Sequence, residues 1–210
     1  MPKMNENYPM SFTSGSLFHL QSVDLAMIFL DLHDWDKVRD QVVSENCLQA
    51  RTQNTLKRTC SEIISRLKTL NSTELDLLTN GTRQEQGYLL WMAACRRYPF
   101  IAEFATEILR ERFISLKQDL HHEDFDAFFN NKAEWHPELE KIKPSTRTKL
   151  RQVLFKMLRE ANLLTPDYSI NAALLTPTLV EAVASNQPQD LLVFPAFESD
   201  LALKKEGRKT

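Results

Sequence analysis

An all-α fold is predicted by three features of this 210-residue sequence. Apolar side chains recur at three- and four-residue spacing along most of its length, the period of a helix with one buried face. Capping residues precede those stretches. Only 4 glycines are present, too few for the tight turns of a β-rich chain. The expected architecture is a helical bundle with helix–turn–helix-like lobes at its N- and C-terminal ends and one small β-hairpin near 163–175.

The elements follow in order. SVDLAMIFLDL, starting after Ser22, is the first helix, and Asp34 caps the second, WDKVRDQVVSE. After NCLQ, Thr52 caps a long helix that reaches about Leu70. Thr73 with Asp76, and Thr82 with Glu85, read as capping boxes, and Asn80-Gly81 ends the short helix between them. RQEQGYLLWMAACRRY follows, and Pro99 opens FIAEFATEILRERFISLKQDL as a first-turn proline. The aromatics of this middle region (Tyr88, Trp91, Phe100, Phe104, Phe113) keep helical spacing and read as core. HHEDFDAFFNNKAEW and HPELEKI are two further helices, and Pro144-Ser145 caps TRTKLRQVLFKMLREA. Two short apolar runs around Thr165-Pro166-Asp167 read as the hairpin. Thr176-Pro177 starts the last helix. The expected lobes are 1–72 (helix–turn–helix), 73–132 (central bundle) and 133–197 (winged-helix-like), with a charged, disordered tail over 198–210.

Composition narrows the function. Apolar residues make up 42% and charged residues 26%, ordinary for a soluble globular chain. The longest apolar run, Leu25 to Leu30, is far short of the ~20 residues that span a bilayer. No secretory signal opens the chain, and three scattered cysteines (Cys47, Cys60, Cys95) form neither a CxxC nor a disulfide framework. A cytoplasmic protein with no membrane insertion is expected. Net charge is −2 and the pI about 6.2, so any nucleic-acid surface must be a local patch. No nucleophile elbow, phosphate loop or zinc-protease motif occurs. His121, His122, Glu123, Asp124 and Asp126 offer metal-type ligands, but no second histidine pair supports them, and acids suit a helix start in any case. No enzyme activity, metal or cofactor is expected.

Two basic helices remain. In the first, Leu56, Cys60, Ile63, Ile64, Leu67 and Leu70 make an apolar stripe, and the opposite face carries Arg51, Asn54, Thr55, Arg58, Glu62 and Ser65, flanked by Lys57. Residues 51–68 hold five basic side chains against one acid, Glu62. In a helix–turn–helix the second helix presents its N-terminal residues to the major groove. Gln53 and Asn54 sit there with base-reading chemistry, and Arg51, Lys57 and Arg58 suit phosphates. The same face also fits the wet side of an ordinary bundle helix. The second helix tips the balance toward DNA. From Lys143 to Arg159 six basic residues (Lys143, Arg147, Lys149, Arg151, Lys156, Arg159) meet no acid, ahead of a hairpin that can serve as a wing. SFTSGSLF, near the start, fits either a loop packed on the first lobe or a partner contact.

SFTSGSLFHLQSVDLA, NCLQARTQNTLKRTCSEIISRL, EQGYLLWMAACRRYPFIAEF and the closing LREANLL and LLTPTL together resemble the BrxA family, small A components of BREX bacteriophage-exclusion systems. The resemblance covers about Tyr8 to Phe197. It implies a small, all-helical, non-enzymatic DNA-binding protein with helix–turn–helix character, NusB-like overall. The favoured expectation is a double-stranded DNA-binding accessory factor that works beside other BREX components, and because a defence factor acts across many genomes, its binding is expected to be largely independent of sequence. An inner-membrane label sometimes attached to the family does not suit a chain with no spanning segment. A protein–protein adaptor and a NusB-type RNA binder remain the alternatives.

Overall fold

The computed structural model describes residues 7–13, 15–197 and 199. Its helices are α1 (His19–Leu32), α2 (Trp35–Glu45), α3 (Gln53–Leu67), α4 (Ser72–Asn80), α5 (Arg83–Arg97), α6 (Pro99–Phe104), α7 (Glu111–Ile114), α8 (His122–Ala133), α9 (Pro137–Glu140), α10 (Pro144–Glu160) and α11 (Pro177–Ala184). A π-helical stretch, Ala105–Arg110, joins α6 to α7, and a 3-10 turn, Pro188–Val193, follows α11. The described chain is predominantly helical, and none of its helices is long and apolar enough to cross a membrane. The tail expected over 198–210 lies outside the described residues, Ser199 excepted.

Most helix starts sit where their caps put them. Asp34 accepts hydrogen bonds from the backbone N–H groups of Asp36 and Lys37, and Thr52 accepts one from Thr55. Three starts differ from expectation, and two helices end early, α3 at Leu67 rather than about Leu70 and the run opened by Pro99 at Ile114 rather than Leu120. First, α1 begins at His19, because Ser22 is no cap: it is buried in the first turn, and its hydroxyl donates to the Leu17 carbonyl at 3.2 Å. Second, the capping box before α4 is Asn71 with Glu74, not Thr73 with Asp76. Each side chain bonds the other's backbone N–H at 2.9 Å, and Glu74 is the acid drawn inside by the partly buried Arg96. Third, Lys143 holds the N-cap of α10 with no side-chain bond, so Pro144 sets the start and Ser145 stays exposed in the first turn.

One continuous core runs from Tyr8 to Phe194. Its centre is a cluster of edge-to-face rings, with Phe100 5.1–5.8 Å from Phe125, Phe128 and Phe129. The buried Trp91 donates its indole N–H to the Val193 carbonyl at 3.1 Å, fixing the 3-10 turn to α5.

The expected hairpin is reduced to two isolated antiparallel bridges. Leu164 pairs with Ile170, and Ser169 pairs with Asp119, which precedes α8. Thr165 N–H donates to the Ser169 carbonyl at 2.9 Å and Asn171 N–H to the Leu163 carbonyl at 3.0 Å. Beyond Asn171 the chain leaves this pairing: Ala173 N–H turns to the Pro195 carbonyl and Leu174 N–H to the Tyr88 hydroxyl.

SFTSGSLF belongs to a strap across the bundle. Phe12 and Leu17 are buried in the core. Tyr8 donates its hydroxyl to Glu103 at 2.6 Å and its N–H to Glu138 at 2.9 Å. Gly15 takes φ 102°, and a Cβ there would lie 2.5 Å from the Phe18 ring, so this turn requires glycine. The Ser16 carbonyl accepts from Arg66 of α3 at 2.7 Å, and the Leu17 N–H donates to Glu160 of α10 at 2.6 Å.

Candidate nucleic-acid interface

The first turns of α3 carry the candidate residues on an open surface. Leu56, Cys60, Ile63 and Leu67 turn inward. Arg51, Gln53, Asn54, Lys57 and Arg58 are all exposed. Arg58 reaches the Thr13 hydroxyl at 3.4 Å. Among the described residues, Arg51, Lys57 and Arg58 have no carboxylate partner. Their charge joins the partial positive charge of the α3 N-terminus, so this end attracts anions.

The far end of α3 differs from its sequence reading. Glu62 does not belong to the solvated face, and Arg66, counted with the basic residues, is buried beside it. Arg66 is 4% exposed and donates from Nε to Glu62 at 2.9 Å. Its Nη2 lies 2.7 Å from the same oxygen, too poorly aligned to donate. The Tyr98 hydroxyl also donates to Glu62, at 2.6 Å, and burial followed by that hydrogen bond pushes the phenol up from its usual range. The helical wheel misplaces Glu62 because it has no knowledge of the strap and Tyr98, which cover this part of α3.

On α10 the six basic side chains divide. Arg147 and Arg151 both pair with Asp126 of α8, Arg147 at 3.1 Å, and Arg147 also bonds Asn130 and lies 4.4 Å from the Phe129 ring centre. These two arginines dock α10 on α8, and their charge is partly spent there. Lys156 makes only a 3.7 Å contact with Glu160. Lys143, Lys149 and Arg159 are exposed with no carboxylate partner among the described residues. The open face is therefore Ser145, Thr148, Lys149, Gln152, Lys156 and Arg159. The sequence reading overlooked Ser145, Thr148 and Gln152, although with Lys149 and Lys156 they recur at three- and four-residue spacing, which announces a shared face.

Among the described residues, no group of three or more His, Cys, Asp or Glu side chains is placed to hold an ion. His121 contacts Asp119 at 3.0 Å, and Asp124 caps α8 and binds Arg112. Burial, followed by the charge of Arg151, pushes the His122 imidazole below its ordinary value.

A sequence model of the BrxA family matches residues 6–187, taking in both basic helices. The chain belongs to the BrxA family. BREX protein BrxA of Escherichia coli O9:H4 (strain HS) is 29% identical over 180 residues, covering 85% of this chain and 84% of that protein. BREX protein BrxA of Paramagnetospirillum magneticum (strain ATCC 700264 / AMB-1) is 23% identical, covering 87% and 92%. BREX protein BrxA of Bacillus cereus (strain H3081.97) is 27% identical over 61% of this chain and 64% of its own. A crystal structure of an uncharacterized protein from Magnetospirillum magneticum superposes with a TM-score of 0.78, covering 90% of this chain and 98% of that one at 20% identity, which establishes a shared fold. The BrxA match thus holds across the strap, the bundle and the segment that carries α10.

Proposed function

We propose that this protein is a non-enzymatic, double-stranded DNA-binding accessory factor of a BREX phage-defence system. It contributes DNA affinity and positioning while partner components carry out the chemistry. The observation that carries this reading is the N-terminal end of α3 and the bend before it, where Arg51, Lys57 and Arg58 stand exposed, unpaired among the described residues, beside the amides Gln53 and Asn54. Only groups not already neutralised within the fold retain their charge for phosphates. The order α2, connector, α3 is that of a helix–turn–helix.

The C-terminal half supports a second contact. A bridge residue before α8, then α8, α10 and the Leu164–Ile170 pair follow the chain order of a winged helix, with α10 as its recognition helix. Asp167 at the turn tip is unsuited to phosphate, so that wing would contact DNA weakly if at all. Binding of this kind is largely independent of sequence, because phosphates carry no sequence information.

A protein–protein adaptor is the second reading, favoured by Trp135 and Leu174, which are 74% and 79% exposed. A NusB-like RNA binder is the third. Salt titrations on duplex DNA, single-stranded DNA and RNA separate them. The DNA reading expects duplex affinity that falls steeply with salt. Preference for RNA, or no duplex binding at low salt, overturns it.

A further inference from the structure

The basic helices α3 and α10 lie far apart in the sequence, yet they meet at one peptide unit. Arg66 lies in the last turn of α3, and its Nη1 donates to the Ser16 carbonyl. Glu160 is the last residue of α10, and its carboxylate accepts the Leu17 N–H at 2.6 Å. The carbonyl and N–H of one trans peptide point in opposite directions from a rigid plane. The two helices are therefore tied, C-terminal end to C-terminal end, through a single bar.

Two further features support a purpose for this tie. A carboxylate in the last turn of a helix opposes the helix dipole, so Glu160 is unfavourable for α10 alone. It is also the only acid between Lys143 and Glu160 on an otherwise basic helix. Arg51, Lys57 and Arg58 on α3 and Lys143 and Lys149 on α10 lie toward the N-terminal ends, away from the tie, while Lys156 and Arg159 lie beside it.

We propose that the Ser16–Leu17 peptide, held by Arg66 and Glu160, is a clamp that sets the separation of the two DNA-contacting helix ends, so that both engage one duplex at a fixed spacing. Glu160 is in this account a positioning residue, and the proposal rests on the duplex-binding reading above. Helices of 15 and 17 residues extend about 22 and 25 Å. With the clamp between them, their N-terminal ends lie at most about 60 Å apart, which corresponds to about 18 base pairs at ~3.4 Å each.

The test is a duplex-length series from about 10 to 30 base pairs, with affinities measured at constant salt for the full chain. Two linked contacts give an affinity that steps up once the duplex spans both, by at least about tenfold. Glu160→Asp keeps the charge but shortens the reach. It should lose the step while binding short duplexes as the wild type does. Glu160→Gln keeps the reach and an acceptor and should retain most of the step. Circular dichroism and a thermal melt confirm folding of each. If Glu160 acts only by repelling phosphate, Gln tightens binding at every length and Asp changes nothing. That pattern, or a wild-type affinity with no step, overturns the clamp while leaving DNA binding intact. No binding at any length overturns the DNA-binding reading itself.

Discussion

Arg96 of α5 holds Glu74 of α4 with two 2.7 Å hydrogen bonds, one from each Nη to a separate carboxylate oxygen. Glu74 is completely buried. The same guanidinium donates to the Thr69 carbonyl at 2.8 Å and to Asp190 in the 3-10 turn at 2.5 Å. One side chain thus joins the end of α3, the start of α4 and the C-terminal turn. Arg96→Ala leaves Glu74 buried without a counter-charge, a change that costs roughly 3–5 kcal/mol. Urea unfolding should show a loss of that size. A loss below about 1 kcal/mol, the level of a surface ion pair, contradicts the buried-hub role.

Glu85 makes the fold sensitive to acid. The Thr176 hydroxyl donates to it at 2.5 Å, and the Thr82 N–H and hydroxyl donate at 2.8 Å each. The Thr176 bond first, and then the Thr82 backbone, hold its carboxyl below the ordinary value of 4.5. The folded state releases this proton more readily than the unfolded chain does. The stability gained is fully present above about pH 4.5 and is lost as pH falls through the lower folded value. Melting temperature should therefore fall below that pH, and Glu85→Gln, which removes the titration, should make the fall shallower. An unchanged slope in Glu85→Gln contradicts the assignment.

These two carboxylates show what was legible in the sequence. Local signals carried their information: Thr82 with Glu85, Asp34, Thr52, Pro99 and Thr176-Pro177 all start helices as their chemistry dictates. Glu74 was missed as a cap because two overlapping box patterns compete at Asn71 and Thr73, and only burial against Arg96, 22 residues away, decides between them. On the candidate interface, the exposure of Arg51, Lys57 and Arg58 was legible from the helical wheel. The pairing of Arg147 and Arg151 with Asp126 was not, nor the burial of Arg66, because charge counts along a segment cannot see a partner on another helix.

That division of α10 predicts two kinds of variant. Lys149→Glu with Lys156→Glu changes side chains on the open face and should weaken duplex binding with the melting temperature unchanged. Arg147→Ala removes the Asp126 and Asn130 bonds and the Phe129 stack and should destabilise the fold by about 1–3 kcal/mol. Unchanged duplex affinity in a folded double-charge variant would reduce α10 to bundle surface.

On α3 the contacts separate by chemistry. Lys57→Ala and Arg58→Ala each remove one unpaired charge and should lower the slope of log affinity against log salt by about one, on every duplex alike. Asn54→Ala removes no charge and should have little effect if binding ignores sequence. A loss of roughly 1–3 kcal/mol in Asn54→Ala, confined to one duplex sequence, would instead mean that Asn54 reads a base.

The most direct measurement of the DNA-binding account is a salt titration of duplex affinity for the Arg51/Lys57/Arg58 triple alanine variant beside the wild type, with circular dichroism confirming that both are folded. None of the three side chains is buried or ion-paired among the described residues, so the fold should be unaffected. The account predicts weaker duplex binding at every salt concentration and a salt slope reduced by up to about three. Full duplex affinity with an unchanged slope would contradict it, and would make this face the solvated side of an ordinary bundle helix.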